Sequence, residues 1–316
     1  MNFSALSQPL LIIAAALAGL GLGRVTVLGA IAGHLIEPAL IALLYFVFLS
    51  VDGGQLRAAF RNVRFTTAAA AVNFLWTPVF AYVLGCLFFR ESIDMQIGLM
   101  MLLVTPCTDW YLVFTALARG NAVLGASILP LNLALQVLLL PAYLTVFYGD
   151  TMEAAGSSLL LSIALVLALP LGLSSLTKIW ARGRRGADCV GWLRARGDTA
   201  QIVLLLIAVA AMFAAEGAAF FAHPILLAEM LLVMLLFFSV NYVLVGRIGR
   251  RLGFADRDRT ALIFTTLARN SPLALAFAAA AFPGRLLIVL ALIIGPLIEL
   301  PALTLIAQVL RRRENG

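Results

Sequence analysis

Apolar runs of about 20 residues recur along the whole chain, separated by short polar breaks, and this pattern predicts helices that cross a bilayer. The predicted spans are 5–22, 28–50, 65–89, 97–118, 122–148, 157–180, 199–222, 224–246, 260–282 and 286–309. The runs are continuous rather than alternating, and far longer than a barrel strand of about 10 residues, which argues for helices over strands. Two connections are very short, but they carry turn residues: Arg119-Gly120-Asn121 and His223-Pro224. No Lys or Arg precedes the first run, so it is expected to be a retained span rather than a signal peptide.

Composition agrees with this pattern. The 316 residues are 63% hydrophobic and 12% charged, with a mean hydropathy of +1.05. A soluble domain carries roughly 25% charged residues, so this chain has too few charges to cover a water-facing surface. The net charge of +7 does not indicate nucleic acid, because the basic residues sit in short loops between apolar runs. Loops after even-numbered spans carry Arg57, Arg61, Arg64, Arg119, Arg182, Arg247, Arg250 and Arg259 among others, and the tail carries Arg311, Arg312 and Arg313. The opposite loops hold Arg24, Arg90 and Arg285. By the positive-inside rule both termini are cytoplasmic, in the plasma (inner) membrane, and a shift of one span would scramble the bias.

Ten spans with an acidic connector near Asp150 and Glu153 divide into halves 1–150 and 151–316. Five spans per half would insert the second half upside down, the inverted-repeat plan of many transporters. That plan requires corresponding spans to be interrupted near mid-membrane. The fourth span contains Thr105-Pro106-Cys107-Thr108-Asp109 and the ninth contains Arg269-Asn270-Ser271-Pro272. Pro106 and Pro272 each remove a backbone donor and clash with the preceding turn. The freed backbone groups cannot face lipid, so they must face protein or a wet cavity. The expected fold is therefore all-α, with crossing discontinuous helices 4 and 9, and the expected site lies where they meet.

Charged groups at mid-membrane depth are costly and are functional candidates. Asp109, Arg269 and Glu299 fall near the middle of their spans, and Asp109 is expected to pair with Arg269, either as a structural ion pair or as one opened in transport. Glu299 has no partner on its own helix and is a candidate proton carrier. Cys107 follows Pro106 in the broken segment, where a sulfur would favour soft, thiophilic solutes. Asn73, Asn132, Gln136 and Asn241 read as interhelical glue. The three cysteines, Cys86, Cys107 and Cys189, have no metal-ligand spacing. No nucleotide-binding or hydrolytic motif is present, so the energy is expected from an ion or solute gradient, without a cofactor and without enzymatic catalysis.

Three segments resemble the bile acid–sodium symporter superfamily, and within it the arsenite permease branch. They are Pro106-Cys107-Thr108 with Ala118-Arg119-Gly120-Asn121, Asn270-Ser271-Pro272-Leu273-Ala274-Leu275-Ala276, and Gly295-Pro296-Leu297-Ile298-Glu299-Leu300-Pro301. The resemblance implies ten spans in inverted halves, contact of Cys107 with trivalent arsenic, and proton exchange at Glu299. Sodium-coupled members typically carry Glu five residues before the span-nine Asn and Gln just before it. Here those positions are Thr265 and Arg269. A fixed guanidinium opposes cation binding, so the coupling ion is expected to be H+ rather than Na+. Asp109 and Arg269 are also atypical of arsenite permeases and leave an organic-anion substrate, held by Arg269, as the alternative to arsenite or a related metalloid.

Overall fold

A computed structural model of the chain describes residues 4–23, 26–50, 62–108, 110–155, 158–181, 191–193, 196–222, 224–282 and 284–314. Among these residues the regular structure is helical. The elements are α1 (Ser4–Leu22), α2 (Thr26–Ser50), α3 (Val63–Ala71), a π-helical turn (Val72–Trp76), α4 (Thr77–Phe88), α5 (Ile93–Leu103), α6 (Trp110–Leu117) and α7 (Ala122–Ala155). They continue with α8 (Ser158–Trp180), α9 (Gly197–Ala222), α10 (Pro224–Arg251), α11 (Asp256–Leu267), α12 (Ser271–Ala281) and α13 (Leu286–Glu314). Among the described residues, four stretches are long and apolar enough to cross a membrane: Val63–Phe88, Ala122–Gly149, Ala228–Arg251 and Leu287–Arg312.

The outward faces are apolar, the reverse of a soluble helix. Leu75, Val79, Val83 and Leu87 form an exposed i, i+4 ladder through the π turn and α4. Polar residues are turned inward, with Asn73, Asn132, Gln136 and Asn241 fully buried. A surface of this kind is stable only against hydrocarbon.

The chain forms two compact units. The first comprises Met1–Val51, Glu153–Pro224 and Pro272–Val289. Within it α2 packs against α8 and α9, and α1 packs against α9. Gly19 of α1 and Gly23, just past its end, lie against the carbonyls of Ala210 and Ala214, where any Cβ would collide with backbone. Small residues four apart allow this close approach of two helices. Lys178 Nζ donates to the carbonyl of Phe48 at 2.7 Å.

The second unit comprises Asp52–Met152, Ile225–Ser271 and Leu290–Gly316. Three of its helices, α3, α5 and α7, start at polar caps that supply acceptors for otherwise orphaned N–H groups. Asn62 Oδ1 accepts from the N–H of Phe65 at 3.2 Å, Ser92 Oγ from Met95 at 3.4 Å, and Asn121 Oδ1 from Leu124 at 3.1 Å. The turn Arg119–Asn121 is latched to the start of α11: Asn121 Nδ2 donates to Asp258 Oδ1 at 2.7 Å, and Arg257 Nε donates to the Arg119 carbonyl at 3.1 Å.

Three features depart from the sequence-based reading. The span predicted at 65–89 is not a uniform α-helix but contains the π turn at Val72–Trp76. The acidic connector around Asp150 and Glu153 continues α7 as far as Ala155, after a kink at Tyr148 (φ −134°, ψ 29°). Pro272 does not interrupt a helix. It stands in the first turn of α12, where a missing N–H costs nothing. The break itself lies just upstream, at 268–270.

Candidate functional site

The two interrupted segments meet within the second unit. Between α5 and α6 the chain is unwound over residues 104–108, and between α11 and α12 it is extended at Ala268 (φ −72°, ψ 139°). The extended pieces pair as a minimal antiparallel bridge at Pro106 and Arg269. Cys107 N–H donates to the Ala268 carbonyl at 2.9 Å, and Asn270 N–H donates to the Thr105 carbonyl at 2.7 Å. The bridge uses the N–H groups on either side of the pair, so the donor that Pro106 lacks is not needed.

Unwinding two helices inside a bundle orphans backbone groups, and each must find a partner. Thr105 Oγ1 turns back to the carbonyls of Met101 (2.9 Å) and Leu102 (3.1 Å). Three further carbonyls at the two helix ends, those of Leu103, Thr266 and Leu267, are taken by one side chain. Arg269 Nη1 donates to Leu103 O at 2.7 Å, Nε to Leu267 O at 3.1 Å, and Nη2 to Thr266 O and to Asn73 Oδ1, the latter at 3.3 Å. The C-terminal ends of α5 and α11, the negative ends of their dipoles, thus share one buried guanidinium. Phe237 of α10 places its ring 5.1 Å from Arg269 Cζ, within cation–π range.

Glu299 enters from α13. Its Oε1 accepts the main-chain N–H of Arg269 at 2.9 Å, and both residues are only 3% exposed. Gly295, one turn earlier, allows the approach: a Cβ there would lie 2.7 Å from Leu102 Cδ1 and 3.2 Å from Ser271 Oγ. The guanidinium of Arg269 lies within electrostatic reach of both Glu299 and Cys107. Asn270 Nδ2 donates to Thr108 Oγ1 at 3.3 Å. Ser271 Oγ is buried and has no hydrogen-bond partner among the described residues.

The structure therefore brings together Pro106, Cys107, Arg269, Asn270, Ser271 and Glu299. Asp109 lies outside the described residues, and with it the expected Asp109–Arg269 pair. Among the described residues, Arg269 makes no ion pair with a carboxylate side chain; carbonyl oxygens and Asn73 solvate it instead. No described group of three His, Cys, Asp or Glu residues is arranged to hold a metal ion.

One contributor was not foreseen. The π turn rotates Asn73 to the break, where its Nδ2 donates to Thr265 O at 3.2 Å while its Oδ1 faces Arg269. The cause is local. Pro78 has no N–H for the carbonyl of Phe74 four residues back, and Tyr143 OH takes that carbonyl at 2.7 Å. Thr77 Oγ1 satisfies Val72 O at 2.8 Å. Single π turns of this kind are frequent at functional sites. Asn132 Nδ2 reaches Thr265 Oγ1 at 3.3 Å, and Asn241 Oδ1 accepts from Trp76 Nε1 at 2.8 Å, which fits the interhelical role expected for both.

Chemically, the site presents a thiol, a carboxyl, an amide and hydroxyls on a frame of paired main chain. Residues 37–223, more than half of the chain, match the model of the Sodium Bile acid symporter family. Two curated proteins are similar over most of their length. An uncharacterized transporter of Synechocystis is 23% identical, over 88% of this chain and 78% of its own. The arsenical-resistance protein Acr3 of Corynebacterium glutamicum is 23% identical, over 93% of this chain and 85% of its own.

Proposed function

Because the chain belongs to the sodium bile acid symporter family of membrane transporters for small solutes, we propose that it is a proton-coupled exporter of arsenite or a related metalloid. The observation that carries this reading is the bridge at Pro106 and Arg269, which sets Cys107 and Glu299 around one break. The similarity to an arsenical-resistance protein supports it. In this reading the Cys107 sulfur displaces one hydroxide from trihydroxyarsenic(III). An As–S bond forms, and the thiol proton leaves with the hydroxide as water. The reverse step releases the solute on the other side, and Glu299 exchanges the coupling proton.

The chain is an integral membrane protein. Ten spans in two inverted halves, with both termini on the cytoplasmic side of the inner membrane, is the topology we propose for it, supported by the distribution of arginines. The site needs no sodium in this account. Ends of broken helices and unwound carbonyls are where transporters hold coupling cations, and here the Arg269 guanidinium already occupies those oxygens. The same geometry weighs against the second reading, an organic-anion carrier. An anion held by Arg269 would have to displace main-chain carbonyls from it.

Expression in arsenite-sensitive cells tests the proposal. Cellular arsenic should fall relative to an empty-vector control, and sodium replacement should not change the effect. Unchanged arsenic at good membrane expression contradicts it. Sodium-linked uptake of bile-acid-like or small carboxylate solutes would establish the alternative.

A further inference from the structure

Away from the break, the charged end of α10 and the start of α11 border an open pocket of about 280 Å³, which Ile263 and Leu310 of α13 also line. Three arginines line it: Arg247 and Arg250 from α10, and Arg259 from α11. Only Arg259 has an acidic partner among the described residues, Asp256 at 2.9 Å. That partner is 71% exposed, so water screens most of its effect. The stem of Arg259 is pressed against the α10 backbone, with its Cγ 2.8 Å from where a Cβ of Gly249 would stand. Three arginines on two helices, with one screened carboxylate between them, leave a net positive pocket.

Tyr242 also lines this cavity, and its hydroxyl is buried with no hydrogen-bond partner among the described residues. A buried hydroxyl without a partner costs free energy unless a ligand supplies an acceptor. Capping the α10 dipole would need only the last-turn Arg250 and Arg251. It would not call for a tyrosine hydroxyl two turns inside the helix. The cavity opens beside an apolar strip on α10, where Leu232, Leu236 and Val243 are exposed.

We propose that this cavity binds the phosphate group of an anionic phospholipid. Arg247, Arg250 and Arg259 neutralise the phosphate, Tyr242 OH donates to one of its oxygens, and an acyl chain lies along the Leu232–Val243 strip. Arginine forks match phosphate oxygens, and basic pockets between membrane helices are established headgroup sites. The volume suits a headgroup, being at the lower edge of the roughly 300–1,000 Å³ typical of ligand pockets. The apolar strip favours a lipid over free phosphate. The site is independent of the transported solute.

The test is thermal unfolding of the purified full chain in a neutral detergent, titrated with short-chain phosphatidylglycerol, with phosphatidylcholine of the same chain length, or with inorganic phosphate. Phosphatidylglycerol should stabilise saturably and phosphatidylcholine should not. The half-saturating concentration should rise about tenfold or more in Arg247→Gln/Arg250→Gln, a change of about 1.4 kcal/mol. Tyr242→Phe, which keeps every charge, should raise it severalfold. Equal stabilisation by both lipids, or a phosphatidylglycerol effect unchanged in these variants, overturns the proposal. Inorganic phosphate matching phosphatidylglycerol would overturn its lipid assignment.

Discussion

The carboxyl of Glu299 is bonded to the main chain of Arg269: the Arg269 N–H donates to Glu299 Oε1 at 2.9 Å. A residue of α13 is thereby tied to the backbone of a helix break, not to a side chain that happens to pass nearby. Any change of charge or hydrogen bonding at Glu299 is felt directly by the two-residue bridge that holds the break together.

Substitutions at Glu299 should therefore separate structure from coupling. Glu299→Gln retains a carbonyl acceptor for the Arg269 N–H and should leave thermal stability nearly unchanged, while removing the exchangeable proton and the pH dependence of transport. Glu299→Leu leaves a buried N–H without a partner and should cost about 1–3 kcal/mol of stability as well. Thermal unfolding together with pH-jump efflux reads both. Equal destabilisation by the two variants would contradict the assignment.

Arg269 is expected to be a structural keystone. Replacing it by Met orphans the carbonyls of Leu103, Thr266 and Leu267 in a buried setting, at about 1–3 kcal/mol for each group that finds no new partner. Arg269→Lys keeps the charge but not the planar fork, so it should fall between wild type and Met. Unfolding midpoints in detergent should follow the order Arg, Lys, Met. A Met variant as stable as wild type would show that the carbonyls do not depend on the guanidinium.

The positions of both breaks were legible in the sequence. Pro106 and the cluster at Arg269–Ser271 stand in the middle of apolar runs, where little else explains a charge beside a proline. The partners were not legible. Nothing in a linear sequence tells that the Arg269 guanidinium faces carbonyls released from α5, because orphaned backbone groups carry no residue signature. The π turn was hidden for the same reason. The stretch 65–89 reads as one apolar run, and only the consequence of Pro78, a Phe74 carbonyl without its donor, marks the place. That consequence, at Phe74 four residues before the proline, is the signal that singles out the adjacent Asn73 from the other buried amides.

The π turn gives its own prediction. Pro78→Ala supplies the missing N–H and lets the helix close on Phe74 O, turning Asn73 away from Thr265 and Arg269. Stability should hold or rise, since a proline leaves a helix interior, while transport falls. Asn73→Ala should lower transport in the same way and lower stability too. If Pro78→Ala transports like wild type, the π turn is not needed to place Asn73.

Sodium provides a further check on the break. With the oxygens of Leu103, Thr266 and Leu267 engaged by Arg269, replacing external sodium by choline should leave the transport rate unchanged. A clear loss of rate would mean that a cation is bound somewhere this account does not place one.

The most direct measurement is arsenite movement in proteoliposomes bearing wild type, Cys107→Ser or Glu299→Gln, under an imposed proton gradient. Wild type should show gradient-driven arsenite flux. Cys107→Ser should lose at least tenfold, about 1.4 kcal/mol or more of barrier, with the fold intact. Glu299→Gln should lose gradient coupling. Full arsenite flux in Cys107→Ser, or flux by wild type that ignores the proton gradient, would contradict proton-coupled arsenite export.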